Sequence, residues 1–429
     1  MPYDEAAPAL NGDLKGLVGA VRGRLSRSGV LFRSASGRSA FPLDPIPRVI
    51  SGEDWMQVKE GLGQRVRALN AFIADAYGER RIVAEGVVPE RVIDTAEHYE
   101  PALRGHEPPG GQWVGIAGLD LARGPDGEFR VLEDNLMTPS GFAYAVAARE
   151  AVAPEFDAAP RSFAELPILL AGALRAAAPD DREPYIVVLT DGPENAALWE
   201  HEWAATAIGV PLVVPADLRL DGDRLRHGEH AVDAVYRRSN EDTLDTDVGR
   251  LLGPAAAAGK LGIVNMFGCG VGDDKLAHAY VEDMVRFYLG QEPTVRSVPT
   301  LDLGRPEHLE RALDTFDDLV VKPRAGHGGF GVMICPHAER ADVEELRGRV
   351  KDSPQEWVAQ PFVELSQHPT LVDGEIAPRH VDLRPFVFLQ GPDEARVLPG
   401  GLTRYAIDAG TMVVNSTQRG GFKDTWVMP

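Results

Sequence analysis

Asp120, Glu133 and Asn135 are the residues of this 429-residue chain whose types and spacing offer the clearest chemistry. They lie in the stretch IAGLDLARGPDGEFRVLEDNLMTPSG, residues 116–141, with the two acids 13 residues apart (133 − 120). GIAGLDLA is an apolar run carrying one acid, and GPDG at 124–127 is built from turn-forming residues. EFRVLEDN alternates, which predicts a strand with Phe129, Val131 and Glu133 on one face. Residues two apart on a strand share a face, so Glu133 and Asn135 project together, and antiparallel pairing across the turn brings Asp120 beside them. Two carboxylates and an amide oxygen are hard ligands suited to Mg²⁺ held jointly with phosphate oxygens. Taken alone, the same stretch also describes a surface hairpin with solvated acids.

A second stretch supplies the phosphate side. LVVKPRAGHGGFGV, residues 319–332, is a short apolar strand presenting Lys322, followed by GHGGFG with four glycines in six positions. Glycine admits left-handed backbone angles and close approach to a ligand. A loop through Gly326, His327, Gly328 and Gly329 can aim N–H groups at phosphate oxygens, with Lys322 as a point charge beside them. No GK[ST] follows, so this is not a Walker A loop; by itself it is an ordinary turn after a strand. In GVGDDKLAHAYVEDMVRFYL, residues 270–289, Asp273 or Asp274 can cap an amphipathic helix whose first turn carries Lys275. A lysine there opposes the helix dipole, and an anionic ligand would account for it.

Together the two stretches resemble an ATP-grasp ligase read in the wrong order, because the metal segment precedes the lysine strand by 189 residues (322 − 133). Further runs resemble the circularly permuted ATP-grasp type 2 family: FPLDPIPRVISGEDW (41–55), GLGQRVRALNAFIADAYG (61–78), LEDNLMTPSG (132–141), VDAVYRRSNED (232–242), RHVDLRPFVF (379–388), PGGLTRYA (399–406) and KDTWV (423–427). The resemblance implies an α/β (α+β) circularly permuted ATP-grasp fold with a Rossmann-like pre-ATP-grasp domain. It implies ATP and Mg²⁺ as cofactors, Mg²⁺ on Asp120, Glu133 and Asn135, and Lys275 and Lys322 on the α- and β-phosphates. It makes WVAQPFVEL (357–365) the adenine-hinge strand, with the backbone of Phe362 and Val363 toward the base. Gln360, Glu364 and Gln367 compete as ribose acceptor. Met137 stands where a basic residue is expected, and Arg419 and Phe422 interrupt a run expected to be glycine and serine. The chain is also short at its N-terminus for the family.

The activity implied is ATP-dependent joining of a carboxylate to an amine, both small molecules and most simply amino acids, through an acyl phosphate. Arg404, then Arg384, would steady the transferring phosphoryl group or the oxyanion. Lys423 in the terminal KDTW would return to the site. Arg237 and Arg238, ending a strand, can grip an amino-acid carboxylate bidentately or pair with Glu241 or Asp242. His201 and Glu202 are better read as helix surface than as lining of that cleft. The alternatives are an ATP-grasp phosphotransferase, for which no histidine motif is evident, and a non-catalytic nucleotide-binding module.

The elements that must position these residues follow from periodicity. A long helix is expected from near Glu53 to Gly78, with Val66, Leu69, Phe72, Ile73 and Ala76 on its apolar face. YIVVLTDG (185–192), PLVVPADL (211–218) and VDAVYRR (232–238), with a helix after the first, predict a parallel sheet. The expected division is 1–166 with the metal hairpin, 167–290 Rossmann-like, and 291–429 with the nucleotide lid and the remaining core. A net charge of −21 argues against a nucleic-acid partner, which needs a basic face. It also requires a locally positive cleft for ATP. Two cysteines, Cys269 and Cys335, make no disulfide framework. No signal peptide or membrane span is evident, so the cytoplasm is the expected location. A homodimer is expected from family habit alone.

Overall fold

The computed structural model describes residues 2–10, 12–34, 37–180, 182–240, 242–326, 330–407 and 420–429. The expectations for Glu241, His327, Gly328, Gly329 and Arg419 therefore fall outside the described residues.

A ten-stranded sheet forms the centre of the molecule. Its main path runs Arg296–Ser297, Phe129–Asn135, Ile116–Arg123, Glu375–Arg384, Leu402–Ala406, Gly420–Val427 and Leu43–Ile50. Strands from both ends of the chain thus lie side by side, and Gly420–Val427 runs parallel to Leu43–Ile50. The helix Gly52–Tyr77 crosses one face. Ser51 caps it by accepting from the Asp54 N–H (3.0 Å), and Glu53 and Asp54 complement the dipole in its first turn. Val66, Leu69, Phe72, Ile73 and Ala76 are fully buried against Leu119, Leu121 and Val131 of the sheet. Val66, Leu69, Phe72 and Ile73 each contribute roughly 1.5–3 kcal/mol by leaving water.

The expected parallel sheet is present, in the order Gly262–Val264, Ala234–Arg238, Ile186–Thr190, Leu212–Val213. Its second predicted strand is shorter than PLVVPADL suggests. Pro215 opens a single 3₁₀ turn, and Leu218–Asp221 then joins a separate antiparallel sheet. Asn265, just past the parallel sheet, reaches the central one. Its Oδ1 accepts from Gly115 N (2.7 Å) and Ile116 N (3.0 Å), while its Nδ2 donates to Ile116 O and Leu136 O.

A small antiparallel sheet of Leu301–Asp302, Trp357–Pro361, Leu319–Pro323 and Met333–Ile334 has its own core around Leu303, Phe316, Val321, Leu346 and Val350. The helices Pro306–Asp314 and Arg340–Asp352 pack on it. Among the described residues no helix is long and apolar enough to cross a membrane. Cys269 and Cys335 are free and buried.

Candidate active site

The strands Ile116–Arg123 and Phe129–Asn135 pair antiparallel, and Asp120 stands directly opposite Glu133. The alternation expected from sequence fails at one residue. Leu121 pairs with Val131, so Leu132 is an extra residue without a partner, a β-bulge. Phe129 and Val131 consequently face the helix Gly52–Tyr77, whereas Glu133 and Asn135 turn to the other face with Asp120 and Gly118. Asp134 falls on the helix side, where Arg65 binds it twice (2.6 and 2.7 Å).

Asp120 is buried between two arginines. Arg384 binds it bidentately (2.6 and 2.8 Å), and Arg404 Nη2 lies 2.9 Å from its Oδ2. Burial would raise its carboxyl, but the two guanidiniums prevail and hold it down at about 2. Arg404 also binds Asp382, its cross-strand neighbour.

Glu133 and Asn135 open onto a cleft of about 570 Å³ shared with Lys275, Asp273, Asp274, Arg324 and Gly326. Glu133 and Lys275 also line an adjoining recess with Lys322, His278, Val358 and Gln360. Lys322, on its strand, is 7 % exposed, and its ammonium makes no hydrogen bond to a described residue. Burial and the neighbouring Lys275 push its ammonium down, while Glu133 and Asp120 pull it up. Lys275 donates to the carbonyl of Gly326, whose own N–H donates to Glu97 (3.1 Å). Gly326 has φ +98, a conformation that favours glycine. The profile of the family described as circularly permuted ATP-grasp type 2 matches residues 47–406, spanning both the hairpin and the lysines.

The chain belongs to that family.

Membership makes it an ATP-grasp enzyme of the C–N-bond-forming ligase class. An uncharacterised protein of Mycobacterium tuberculosis is 39% identical over 99% of this chain and 80% of its own length. A Frankia casuarinae protein, provisionally named glutamate–cysteine ligase 2-2, is 46% identical over 93% of this chain. The chain spans about half of that relative, 48% of its length. A solved structure titled as a glutathione synthetase-like effector from Globodera pallida superposes with a TM-score of 0.67, covering 98% of each chain at 10% identity, and thus shares the fold.

Mg²⁺ is the metal this ATP-grasp fold implies. The donors present suit it: Asp120, Glu133 and Asn135 are hard oxygen groups on one face of the hairpin. Glu133 has no hydrogen bond or ion pair with a described side chain, and Asn135 Nδ2 is buried without a partner. Among the described residues no group of three or more His, Cys, Asp or Glu side chains converges as a self-sufficient metal site.

Other expected residues lie elsewhere in the ATP-grasp fold. Lys423 is not brought to the cleft. It pairs across strands with Thr403, one position off Arg404, so alternation sends it to the opposite face. There it is fully buried and binds Asp44 and the carbonyls of Ile46 and Pro369. Burial lowers its ammonium to about 8. Arg237 is buried against Asp242, the ion pair the sequence offered as its alternative, and over the Phe267 ring. Arg238 donates to Pro139 O (3.0 Å). Neither arginine lines the cleft. The Phe362 N–H donates to Asp318 O (3.1 Å), and neither Phe362 nor Val363 lines the recess that Gln360 does. Gln360 itself donates to Thr300 Oγ1 (2.9 Å). His201 is not helix surface; it is buried and bonded to Thr190, with burial lowering it to about 2, while Glu202 is exposed. The dipole argument for Lys275 weakens, because its helix, Lys275–His278, is a single turn capped by Asp274. Phe422 stacks on Phe41 at 4.6 Å in the core, and Met137 lines the cleft.

Sequence reasoning missed Glu97, His98, Arg324 and His278 as residues of the cleft. Two carried a signal. Arg324 lies two residues after Lys322 on the same strand path, and His278 lies three after Lys275, which places it on the same helical face. Arg324 binds Asp274 through Nε (2.9 Å to each oxygen) and donates to Thr95 and the carbonyls of Arg91 and Val92. It therefore ties the lysine strand to the turn that carries Lys275.

Proposed function

We propose that the chain joins the carboxylate of an amino acid or small peptide to an amine, using ATP and an acyl-phosphate intermediate. The observation that carries the reading is the convergence of Glu133, Lys275 and Lys322 on one cleft. An unpaired carboxylate facing two lysines is the arrangement expected where protein must hold both a metal and the phosphates it bridges.

The substrate carboxylate attacks the γ-phosphorus, and the bond to the bridging oxygen breaks as ADP leaves. The amine then adds to the acyl carbon, and phosphate departs as the C–N bond completes. Lys322 and Lys275 hold the phosphates; Lys275 exchanges the Gly326 carbonyl for a phosphate oxygen. Asp120, Glu133 and Asn135 would hold Mg²⁺, which when bound would supply positive charge against the phosphates. Arg384 and Arg404, adjoining Asp120, supply fixed positive charge for the transferring group. The provisional ligase names of two Frankia relatives, which are 46% and 45% identical, favour amino acids as substrates.

The experiment is ADP and phosphate release from ATP with Mg²⁺ across amino acids singly and in pairs, with mass spectrometry of products. Release requiring one acid and one amine, with a condensed product and no turnover in Glu133→Gln, supports the ligase. ATP binding without amino-acid-dependent turnover sinks the amide-forming reading.

A further inference from the structure

A groove crosses the outer surface of three helices, Leu14–Arg27, Phe142–Val152 and Leu198–Ile208, and shares no lining residue with the ATP-grasp cleft. It consists of two hollows of about 370 and 720 Å³ that have Ser28, Ala147 and Glu150 in common. Arg27 stands at one end, exposed and without an ion pair to a described residue. Glu202 stands at the other with Trp199 and Trp203. The two tryptophans lie one helical turn apart and are half-buried. Trp199 packs on Tyr144 (ring centroids 5.0 Å) and Trp203 on Phe142 (6.2 Å). Glu202 and Glu150 are exposed, and neither carboxylate pairs with a described cation. Leu31, 46 % exposed, adds to the apolar rim, its carbonyl accepting from Tyr144 Oη (3.2 Å).

Tryptophan faces beside unpaired carboxylates suit a guanidinium, which stacks on the ring while it pairs with the acid. The charge of the chain narrows what can bring one. At −21 overall, two copies repel at long range, so contact between them needs a place where opposite charges meet. The helix Leu14–Arg27 supplies it, with Lys15, Arg22, Arg24 and Arg27 and no acid. The groove is therefore positive at one end and negative at the other. A wholly basic partner would satisfy Glu202 and meet Arg27 with like charge. A second copy turned about a two-fold axis satisfies both ends at once, because each patch then meets its complement twice.

We propose that this groove is the interface of a two-fold dimer, in which Arg27 of each protomer stacks on the partner's Trp203 and pairs with the partner's Glu202. Ser28 and Ala147, common to both hollows, then lie near the axis, where their small side chains let the helices approach closely. The tryptophans are the anchors of the contact, since large aromatic side chains with one face already packed lose little freedom on binding. The interface is independent of the chemistry assigned to the cleft.

Sedimentation equilibrium on the full chain tests it, with wild type, Arg27→Glu and Glu202→Arg, and circular dichroism to check that each is folded. Wild type should be a dimer at about 10 μM, within the range of specific interfaces. Either substitution brings like charges together twice and should raise the Kd for dimerisation at least about 100-fold. An equimolar mixture of the two variants should recover the dimer, since each offers the charge the other has lost. If either variant does not fold, Arg27→Ala and Glu202→Ala replace the pair and should each raise the Kd about tenfold. A wild type that stays monomeric overturns the proposal and leaves the groove to a different protein or to solvent. A dimer indifferent to the substitutions, or a mixture of the charge-reversed variants that stays monomeric, also overturns it, the first by placing the interface elsewhere.

Discussion

Glu133 faces Asp120 across the hairpin because Leu132, beside it, has no partner. Without that extra residue the strand's period of two would turn Glu133 toward the helix Gly52–Tyr77. The bulge therefore decides which of two adjacent acids meets the cleft and which meets Arg65. Glu133→Gln keeps shape and removes charge, and turnover should fall by at least about 100-fold with little change in melting temperature. A variant with near-normal turnover would remove Glu133 from the reaction.

Asp120 makes a pH-dependent contribution to stability. Its carboxyl is held at about 2 in the fold, below its ordinary value. A depressed carboxylate stabilises the fold above its unfolded value, and that contribution disappears as pH falls through the folded one. The stability gap between wild type and Asp120→Asn should thus be on the order of 2 kcal/mol near neutrality and close between about pH 4 and pH 2. Urea titrations across that range measure it; a gap independent of pH would contradict the ion-pair account.

Lys423 is a structural cation. Lys423→Met leaves Asp44 buried without its partner and should destabilise by about 3–5 kcal/mol. Adding Asp44→Asn should recover part of the loss, since both charges are then gone. The sign of the pH effect is also fixed. With its ammonium lowered to about 8, the native state releases this proton before the unfolded chain does. Wild-type stability should gain from this group as pH rises above about 8 toward the ordinary lysine value. Loss of turnover in Lys423→Met at unchanged melting temperature would instead return the residue to the chemistry.

Arg324 is expected to act through Lys322 and Lys275. Arg324→Lys keeps the charge but loses the fork that spans Asp274 and the carbonyls of Arg91 and Val92. KM for ATP should rise about tenfold with a smaller change in kcat. Hydrogen exchange should quicken over residues 319–326, which a purely local defect would not produce.

Local pattern made much of this legible. The turn GPDG and its flanking runs give a hairpin that places Asp120 near Glu133, and the apolar spacing from Val66 to Ala76 gives the long helix face. The bulge was not legible, because a single inserted residue leaves composition and turn chemistry unchanged. Lys423 was misplaced for a related reason. It is one residue from Phe422, the cross-strand partner of Arg404, and one residue on a strand is the whole difference between two faces. His278 and Arg324 were missed although their spacing from the lysines was available, since their partners Asp134 and Asp274 meet them only through tertiary contacts 144 and 50 residues away in the chain.

The interleaving of both chain ends in one sheet sets an order on the ribosome. Asp120 emerges 264 residues before Arg384, the side chain that neutralises it. Until then the hairpin offers an open strand edge and an unpaired acid, a state prone to mispairing. The face of the hairpin that carries Asp120 and Glu133 is therefore complete only once Arg384 and Arg404 have been made and have paired with it.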